Sequence, residues 1–180
     1  PFTRLNGGPM DYTPGIFVMD LASVTEGRNN SWVNATIANQ LALYVTMSSP
    51  LQMAADLPEH YAKFMDAFQF IKDVDIDWLQ SKYLLAEPGE YVVVARQGKK
   101  KGQWFCGGVT DDNARTLEVP MNFLEAGKTY EATIYADAAD ADYKENPQAY
   151  VIEKKNVTSE DVLSMTMARG GGFAISFIEK

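Results

Sequence analysis

The chain has 180 residues, of which 46% are hydrophobic and 22% are charged. This length and balance predict one or two globular domains with a buried core. Its 16 basic and 24 acidic residues give a formal net charge of -8, which repels phosphate backbones and argues against a nucleic-acid partner. The longest uncharged, largely apolar stretch, residues 37–55, is interrupted by polar residues and by Pro50, so it does not qualify as a membrane span.

Cys106 and His60 are the single cysteine and the single histidine of the sequence. A disulfide within the chain is therefore impossible, and so is a zinc site that needs several cysteine or histidine ligands. A serine or cysteine nucleophile would have to use His60 as its base, which leaves carboxylates as the abundant reactive groups. The chain begins at Pro1 without an initiator methionine or a signal-peptide pattern, and we expect it to be a piece of a longer protein or a trimmed one.

The first 75 residues carry loop and helix patterns. Glycines and prolines over residues 6–15 predict an irregular loop. Apolar residues then recur at intervals of three and four over residues 32–49, which predicts a helix that ends before Pro50. A second helical stretch is predicted to begin at a proline, which suits the first turn of a helix, and to continue in pieces over residues 58–71.

Beyond residue 75 the pattern changes to short β-branched and aromatic runs separated by turn residues. Two of these runs flank a glycine- and lysine-rich turn and predict a hairpin. In residues 129–135 apolar and polar side chains alternate, which is typical of a sheet with one face in solvent. Short strands at this spacing favour a β-sandwich. The predicted strands cover residues 91–96, 104–109, 115–119, 129–135, 150–153, 163–168 and 173–178.

The predicted fold class is therefore α+β. A helical segment occupies residues 1–75, and an all-β antiparallel sandwich follows over residues 76–180. So small a helical segment buries too little apolar surface to be stable alone. We expect it to pack against the sandwich or against material outside this sequence.

Several stretches of the chain carry a resemblance to a known family. They are PFTRLNGGPMDYTPGIF at 1–17, QLALYVTMSSPLQMAADLPEHY at 40–61, AFQFIKDVDIDW at 67–78, EYVVVARQGKKKGQWFCGGVTDDNART at 90–116, GKTYEATIYADAADADY at 127–143 and the glycines at 170–172. The chain resembles the C-terminal end of glycoside hydrolase family 97 over essentially its whole length. The GPMDYTPG and SPLQMAADLPE stretches are the most specific part of this resemblance.

The resemblance implies an architecture and an activity for the parent enzyme. Members of this family are α-glucosidases and α-galactosidases, inverting or retaining, with an N-terminal β-sandwich, a central (β/α)8 barrel and a C-terminal β domain. They are typically calcium-dependent and act in the periplasm or outside the cell. By this resemblance, residues 1–75 are the last strand, loop and helix of the catalytic barrel. Residues 76–180 are the C-terminal domain, which is associated with oligomerisation.

The resemblance also implies what this chain lacks. The family's catalytic carboxylates lie on barrel strands that precede the PFTR segment, and so do its main calcium-ligating glutamates. A glycosidase needs two carboxyl groups across the scissile bond, ~5 Å apart for retention or ~6.5–9.5 Å apart for inversion. We therefore assign no catalytic and no metal-binding residue to this chain, expect no bound calcium, and predict that the fragment alone is inactive.

Three residues are candidates for contact with substrate. Asp11 and Tyr12 follow a barrel strand in this interpretation, and loops at the carboxyl ends of barrel strands build the active site. Asp11 would bond a sugar hydroxyl, Tyr12 would stack on a sugar face, and Arg4 would contact substrate or a carboxylate. The alternative is that Asp11 caps a turn and Tyr12 packs within the loop.

Other reactive or aromatic groups have simpler structural interpretations. Glu59 beside His60 suggests a base, but neighbouring helix residues point apart, which favours a helix-start glutamate and a surface histidine.

An acidic cluster suggests calcium ligands, but a solvated loop is favoured. Aromatic residues on the strands could form a sugar platform, but a core role is favoured, and Cys106 is predicted to be buried. The acidic cluster comprises Asp137, Asp140 and Asp142; the aromatic residues are Trp78, Trp104, Tyr91, Tyr130 and Tyr135.

Three functions therefore compete. The first is the C-terminal part of a family 97 α-glycosidase that hydrolyses an α-linked oligosaccharide, with this part completing the barrel and forming a homo-oligomer contact. The second is a non-catalytic carbohydrate-binding module, which needs an exposed row of flat aromatic rings. The third is a plain assembly domain without a ligand.

Overall fold

A computed structural model of the chain describes residues 2–3, 8–28 and 30–180. In these residues a short 3-10 helix over Leu21–Ser23 is followed by three α-helices and eight β-strands. The helices are α1 (Ile37–Thr46), α2 (Pro58–Tyr61) and α3 (Met65–Asp73). The strands are β1 (Trp78–Glu87), β2 (Tyr91–Gly98), β3 (Gln103–Thr110), β4 (Arg115–Pro120), β5 (Tyr130–Asp137), β6 (Tyr150–Val157), β7 (Val162–Met167) and β8 (Gly172–Glu179).

The strands form two antiparallel sheets. The larger one has six strands in the order β1-β2-β3-β8-β5-β6, and the smaller one pairs β4 with β7. The predicted hairpin is confirmed as β2 and β3, in which Tyr91 pairs with Thr110 and Gln97 with Trp104. The antiparallel β-sandwich that the sequence predicted after the helical segment is therefore present, and the structure as a whole is mostly β with few helices.

Both faces of the larger sheet are covered at its centre. One face packs on the β4–β7 sheet through a cluster that includes Phe177, Met121 and Met167, all fully buried. The other face packs under α1 and α3, where the Phe70 and Tyr135 ring centroids are 5.4 Å apart. The alternation predicted along β5 is present, since Tyr130, Ala132 and Ile134 are buried and Glu131 and Thr133 are partly exposed. The predicted solvent face ends at Tyr135, which the helical layer covers.

Helix α1 begins later than its apolar spacing predicted. The Thr36 side chain accepts a hydrogen bond from the Asn39 N–H at 3.1 Å and caps the helix there. Trp32 instead pairs with Asp20 in an isolated antiparallel bridge. The indole N–H of Trp32 donates to the Tyr143 carbonyl at 2.8 Å, so the segment before α1 is anchored on the β-domain.

Strand β1 was missed because its sequence does not alternate. Irregularities in its register with β2 fall between Trp78 and Gln80 and between Tyr83 and Leu85. Such bulges turn successive side chains out of the simple two-residue period. The run WLQSKYLLAE consequently lacks the pattern that identified the other strands.

Helix α1 lies close enough to β3 to require a glycine there. A Cβ atom on Gly107 would stand 2.8 Å from the Ala42 carbonyl oxygen and 2.9 Å from Val45 Cβ. Asn39 adds a polar tie, since its Nδ2 donates to the Gly171 carbonyl at 2.9 Å. The expectation that the helical segment packs against the sandwich is confirmed.

The single cysteine is a core residue, and the described helices are too short or too polar to cross a membrane. Cys106 is fully buried in β3, and this burial raises the pKa of its thiol, as expected for a cysteine that acts as a small core residue. No helix among the described residues is both long enough and apolar enough to cross a membrane.

We predict that Gly107→Ala lowers the free energy of unfolding by about 1–3 kcal/mol, because the added methyl group meets helix backbone that has to move. Urea denaturation followed by circular dichroism measures this loss. Gly98→Ala is the matched control on the neighbouring strand, where the nearest atoms are side-chain ends at 3.2 Å or more. Equal stability of the two variants would contradict the close contact of α1 with β3.

Candidate functional site

Two extended segments run parallel to each other beside α1. Tyr12 and Gln52 form a parallel bridge; the Tyr12 N–H donates to the Leu51 carbonyl at 3.2 Å, and the Met53 N–H donates to the Tyr12 carbonyl at 2.9 Å. The contact continues where the Ala55 N–H donates to the Pro14 carbonyl at 3.0 Å. Parallel neighbours need a crossover connection, and α1 lies between these segments in the chain. The pairing is one isolated bridge outside the eight strands; we call residues 10–14, α1 and residues 51–55 the β-α-β unit because they follow this chain order.

The loop that leaves the first of these segments is held by buried side chains. Gln40 Oε1 accepts hydrogen bonds from the N–H groups of Gly15 and Ile16 at 3.0 and 3.2 Å. The Tyr44 hydroxyl donates to the Pro14 carbonyl, and the Tyr61 hydroxyl donates to the Gly15 carbonyl. Gly15 has a φ of 86°, which favours glycine. A Cβ atom at this position would stand 2.6 Å from the Tyr44 hydroxyl oxygen, so a side chain does not fit there.

Asp56 is the centre of this arrangement. Its Oδ2 accepts hydrogen bonds from the N–H groups of Phe17 and Val18 at 2.8 and 2.9 Å, and its Oδ1 lies 2.5 Å from His60 Nδ1. Burial alone would raise the pKa of Asp56, but the hydrogen bonds from His60, Val18, Phe17 and Leu57 outweigh it and hold the pKa below its usual value. The carboxylate therefore ties the loop after the first segment to the end of the second.

His60 is a partner of Asp56 and not of Glu59. The His60 side chain is 12% exposed and the Asp56 side chain is 5% exposed, so the interpretation of His60 as a surface residue is wrong. The i, i+4 spacing of Asp56 and His60 was the signal in the sequence that pointed to this pair. The adjacency of Glu59 and His60 in the sequence does not indicate this pair.

The predicted substrate contacts fall on the first extended segment. Asp11 is exposed and Tyr12 is half-buried, and burial raises the pKa of the Tyr12 hydroxyl. Arg4 lies outside the described residues. The structure thus places Asp11 and Tyr12 side by side on the β-α-β unit, where Tyr12 supplies the backbone contacts to the second segment.

The acidic cluster spans the last residue of β5 and the loop that follows it, and its carboxylates have partners within the chain. Asp142 Oδ1 accepts hydrogen bonds from the N–H groups of Lys144 and Glu145, and Asp140 accepts one from the Asn146 side chain at 2.9 Å. Within the described ranges, no group of three or more acidic, histidine or cysteine side chains could hold a metal ion. The favoured interpretation as a solvated loop holds for Asp140 and Asp142. It is wrong for Asp137, the last residue of β5, whose Oδ2 accepts hydrogen bonds from the N–H groups of Ala168 and Gly172 and whose pKa is raised by burial.

The aromatic residues of the strands mostly fill the core. Trp104, Tyr130 and Tyr135 are 4%, 1% and 4% exposed, whereas Trp78 and Tyr91 are half-buried. Three of the five rings are therefore unable to stack on a ligand. This arrangement does not provide the flat exposed row that a sugar platform needs.

Comparison with known proteins places the chain among glycoside hydrolases. The fold also occurs in a β-arabinopyranosidase, whose structure covers 96% of this chain with a TM-score of 0.77 at 20% identity. A family 97 enzyme from Pseudoalteromonas sp. strain K8, solved in complex with acarbose, is 46% identical and covers 99% of the chain with a TM-score of 0.93. A retaining α-galactosidase of Bacteroides thetaiotaomicron is 34% identical over 97% of the chain.

A match to a protein-family model of a C-terminal domain identifies the family. Residues 77–178 match the model described as glycosyl-hydrolase 97 C-terminal, oligomerisation. The chain belongs to glycoside hydrolase family 97 and contains this C-terminal domain, as its sequence motifs indicated. It spans about a quarter of the relatives it matches, 26% of the Bacteroides enzyme and 28% of the Pseudoalteromonas chain.

We predict that Asp56→Asn lowers the free energy of unfolding by about 1.5–3 kcal/mol, because the hydrogen bonds of Phe17, Val18 and His60 lose a charged acceptor. Since the pKa of Asp56 is lower in the folded chain, its contribution is complete above the unfolded-state pKa and is lost as pH falls through the folded-state pKa. The variant should therefore lose less stability than the wild type between neutral pH and strongly acidic pH.

Thermal or urea unfolding across this pH range measures both effects. Asp11→Asn is the matched control, because this exposed carboxylate lies on the same β-α-β unit; we expect a change within about 0.5 kcal/mol. An Asp56→Asn variant as stable as Asp11→Asn at neutral pH would show that Asp56 does not tie the loop.

Proposed function

We propose that this chain is the C-terminal portion of an α-glycosidase that hydrolyses α-glucosidic or α-galactosidic bonds. In this proposal residues 1–75 complete the catalytic (β/α)8 barrel and residues 76–180 form its accessory oligomerisation domain. The parallel pairing of Tyr12 with Gln52 is the observation that carries it. The retaining α-galactosidase and the acarbose complex among the relatives support the substrate class.

The parallel pair has the form of a barrel fragment. Strand, crossover helix and parallel strand repeat around a (β/α)8 barrel, and residues 10–14, α1 and residues 51–55 supply one such repeat, followed by α2 and α3. Leu51 and Met53 on the second segment are 50% and 43% exposed. A parallel sheet is normally covered on both faces, so these side chains fit against further barrel strands and helices.

The catalytic chemistry belongs to the rest of such an enzyme. Hydrolysis needs two carboxyl groups across the glycosidic bond. Asp56 does not serve as one of them, because its carboxylate is hydrogen-bonded to the N–H groups of Phe17 and Val18 and to His60. Asp11 and Tyr12 are proposed to contact the sugar as part of the barrel wall. Calcium is proposed for the parent enzyme only, because the described residues offer no cluster of ligands for it. Periplasmic or extracellular location is likewise proposed from the family.

We predict that the 180-residue chain does not hydrolyse nitrophenyl α-glucoside or nitrophenyl α-galactoside, whereas a longer parent that includes the upstream barrel hydrolyses at least one of them. Release of nitrophenol, measured with matched molar amounts of the two proteins, tests this. Turnover by the chain alone, or none by the longer protein, would contradict the proposal.

The accessory domain is proposed to bind a second copy through β1. Strands β1 and β6 are the two edges of the six-stranded sheet. Strand β6 carries Glu153, Lys154 and Lys155, charges of the kind that protect an edge, whereas Leu79 and Tyr83 on β1 are each 61% exposed. The bulges of β1 disfavour continuous backbone pairing across the edge, so the proposed contact is made by side chains.

We predict that the wild-type chain forms a dimer and that Leu79→Lys raises its dissociation constant at least about tenfold, because an apolar contact is replaced by a charge. Val151→Lys on β6 is the matched control, since Val151 is 50% exposed, and it should leave the dimer intact. Sedimentation velocity over a concentration series measures both. A monomeric wild type would contradict self-association; dissociation by Val151→Lys alone would contradict the assignment to β1.

A further inference from the structure

Arg96 is a buried cation without an acidic partner among the described residues. It lies on β2 under the C-terminal end of α1 and is 3% exposed. Its Nε donates to the Val45 carbonyl at 2.5 Å and its Nη1 donates to Ser81 Oγ at 2.5 Å. Its Nη2 is buried and has no hydrogen-bond partner within the described ranges. Its acceptors, the Val45 carbonyl and Ser81 Oγ, are neutral. Because buried charges are normally paired, this guanidinium lacks an anionic partner among the residues that the structure describes.

Trp78 places a second unsatisfied donor beside it. The Trp78 indole Nε1 is also buried, and no described residue accepts a hydrogen bond from it. The guanidinium carbon of Arg96 is 5.9 Å from the centre of the Trp78 ring. Both residues line a cavity of about 510 Å³, together with Ser48 and Ser81. The two unsatisfied donors therefore belong to side chains that border the same cavity.

The charge balance at the cavity is favourable to an anion. Asp77 also lines it, but its carboxylate forms an ion pair with Lys99. Burial lowers the pKa of Arg96, and the nearby Tyr83 hydroxyl acts in the opposite direction; a guanidinium remains protonated at neutral pH. Among the described residues that line the cavity, the uncompensated charge is that of Arg96.

We propose that this cavity binds the carboxylate group of an organic acid. Arg96 Nη2 and Trp78 Nε1 each donate to one carboxylate oxygen, so two donors meet two acceptors and one negative charge meets one positive charge. A phosphate brings more oxygens and more charge than this pair of donors satisfies. The carboxylate comes from a free small acid or, in a longer parent enzyme, from an acidic side chain outside this chain.

Indole N–H signals provide a test specific to the site. The chain has three tryptophans, and Trp78→Phe identifies the Trp78 signal in the ¹⁵N-labelled protein. Titration with sodium acetate at constant ionic strength should shift this signal to saturation. The Trp32 indole, which is bonded to the Tyr143 carbonyl, should not move. A shift that grows linearly, or that sodium chloride reproduces, overturns the proposal.

Variants separate the cavity from nonspecific effects. Arg96→Lys keeps a charge but loses the forked donor geometry, and we expect acetate affinity to fall at least about tenfold. Arg28→Lys, an exposed arginine paired with Glu26, is the matched control and should have no effect. If Arg96→Lys does not fold, the Trp78→Phe variant is titrated with acetate instead. Binding is then followed through the Arg96 Nε–H signal, and the affinity is compared with that of the wild type. Unchanged affinity in the folded cavity variant, or tighter binding of phosphate than of acetate, overturns the proposal.

The source of the carboxylate is distinguished in the longer parent enzyme. The comparison with the parent enzyme rests on the proposed function, whereas the titration of the 180-residue chain does not. Saturable acetate binding in both proteins identifies a free acid as the ligand. Binding in the chain but not in the parent identifies an acidic side chain of the parent as the occupant.

Discussion

The close approach of α1 to the central strands is the contact on which the rest of this structure depends. It is possible because β3 and β8 present glycines to the helix: a Cβ on Gly107 would meet Ala42, and one on Gly172 would stand 2.9 Å from Asn39 Cα. With the helix at this distance, Asn39 reaches the Gly171 carbonyl, and Arg96 reaches the Val45 carbonyl. The position of α1 in turn fixes the two parallel segments on either side of it in the chain.

Local patterns predicted most of the β-structure and less of the helical layer. The hairpin of β2 and β3 followed from β-branched runs around a turn, because both signals lie within one short stretch of sequence. Strand β1 was missed because its bulges remove the alternation. The start of α1 was placed too early because an apolar period does not locate a cap, and Trp32 is held by Tyr143, more than a hundred residues away.

The candidate site depended still more on contacts that local patterns do not contain. Asp11 and Tyr12 came from family motifs, and the structure adds their place beside the second parallel segment. The i, i+4 spacing of Asp56 and His60 is enough to predict their hydrogen bond. The hydrogen bonds from the N–H groups of Phe17 and Val18 are not predictable from the sequence, because the fold brings these distant residues to Asp56. Burial of Arg96 was not predictable, since its strand pattern does not reveal that a helix end covers the same face of the sheet.

The sharing of one core by the helical segment and the sheet has a mechanical consequence. Phe70 of α3 packs against Tyr135 and Phe105 of the sheet, and α1 is bonded to the turn before β8. A joint with this much buried contact bends far less easily than an exposed linker. In an enzyme built with this chain, the helical segment and the β-domain would turn together as one stiff body. Any strain placed on a subunit contact would then reach the loop that Asp56 holds without a hinge to absorb it.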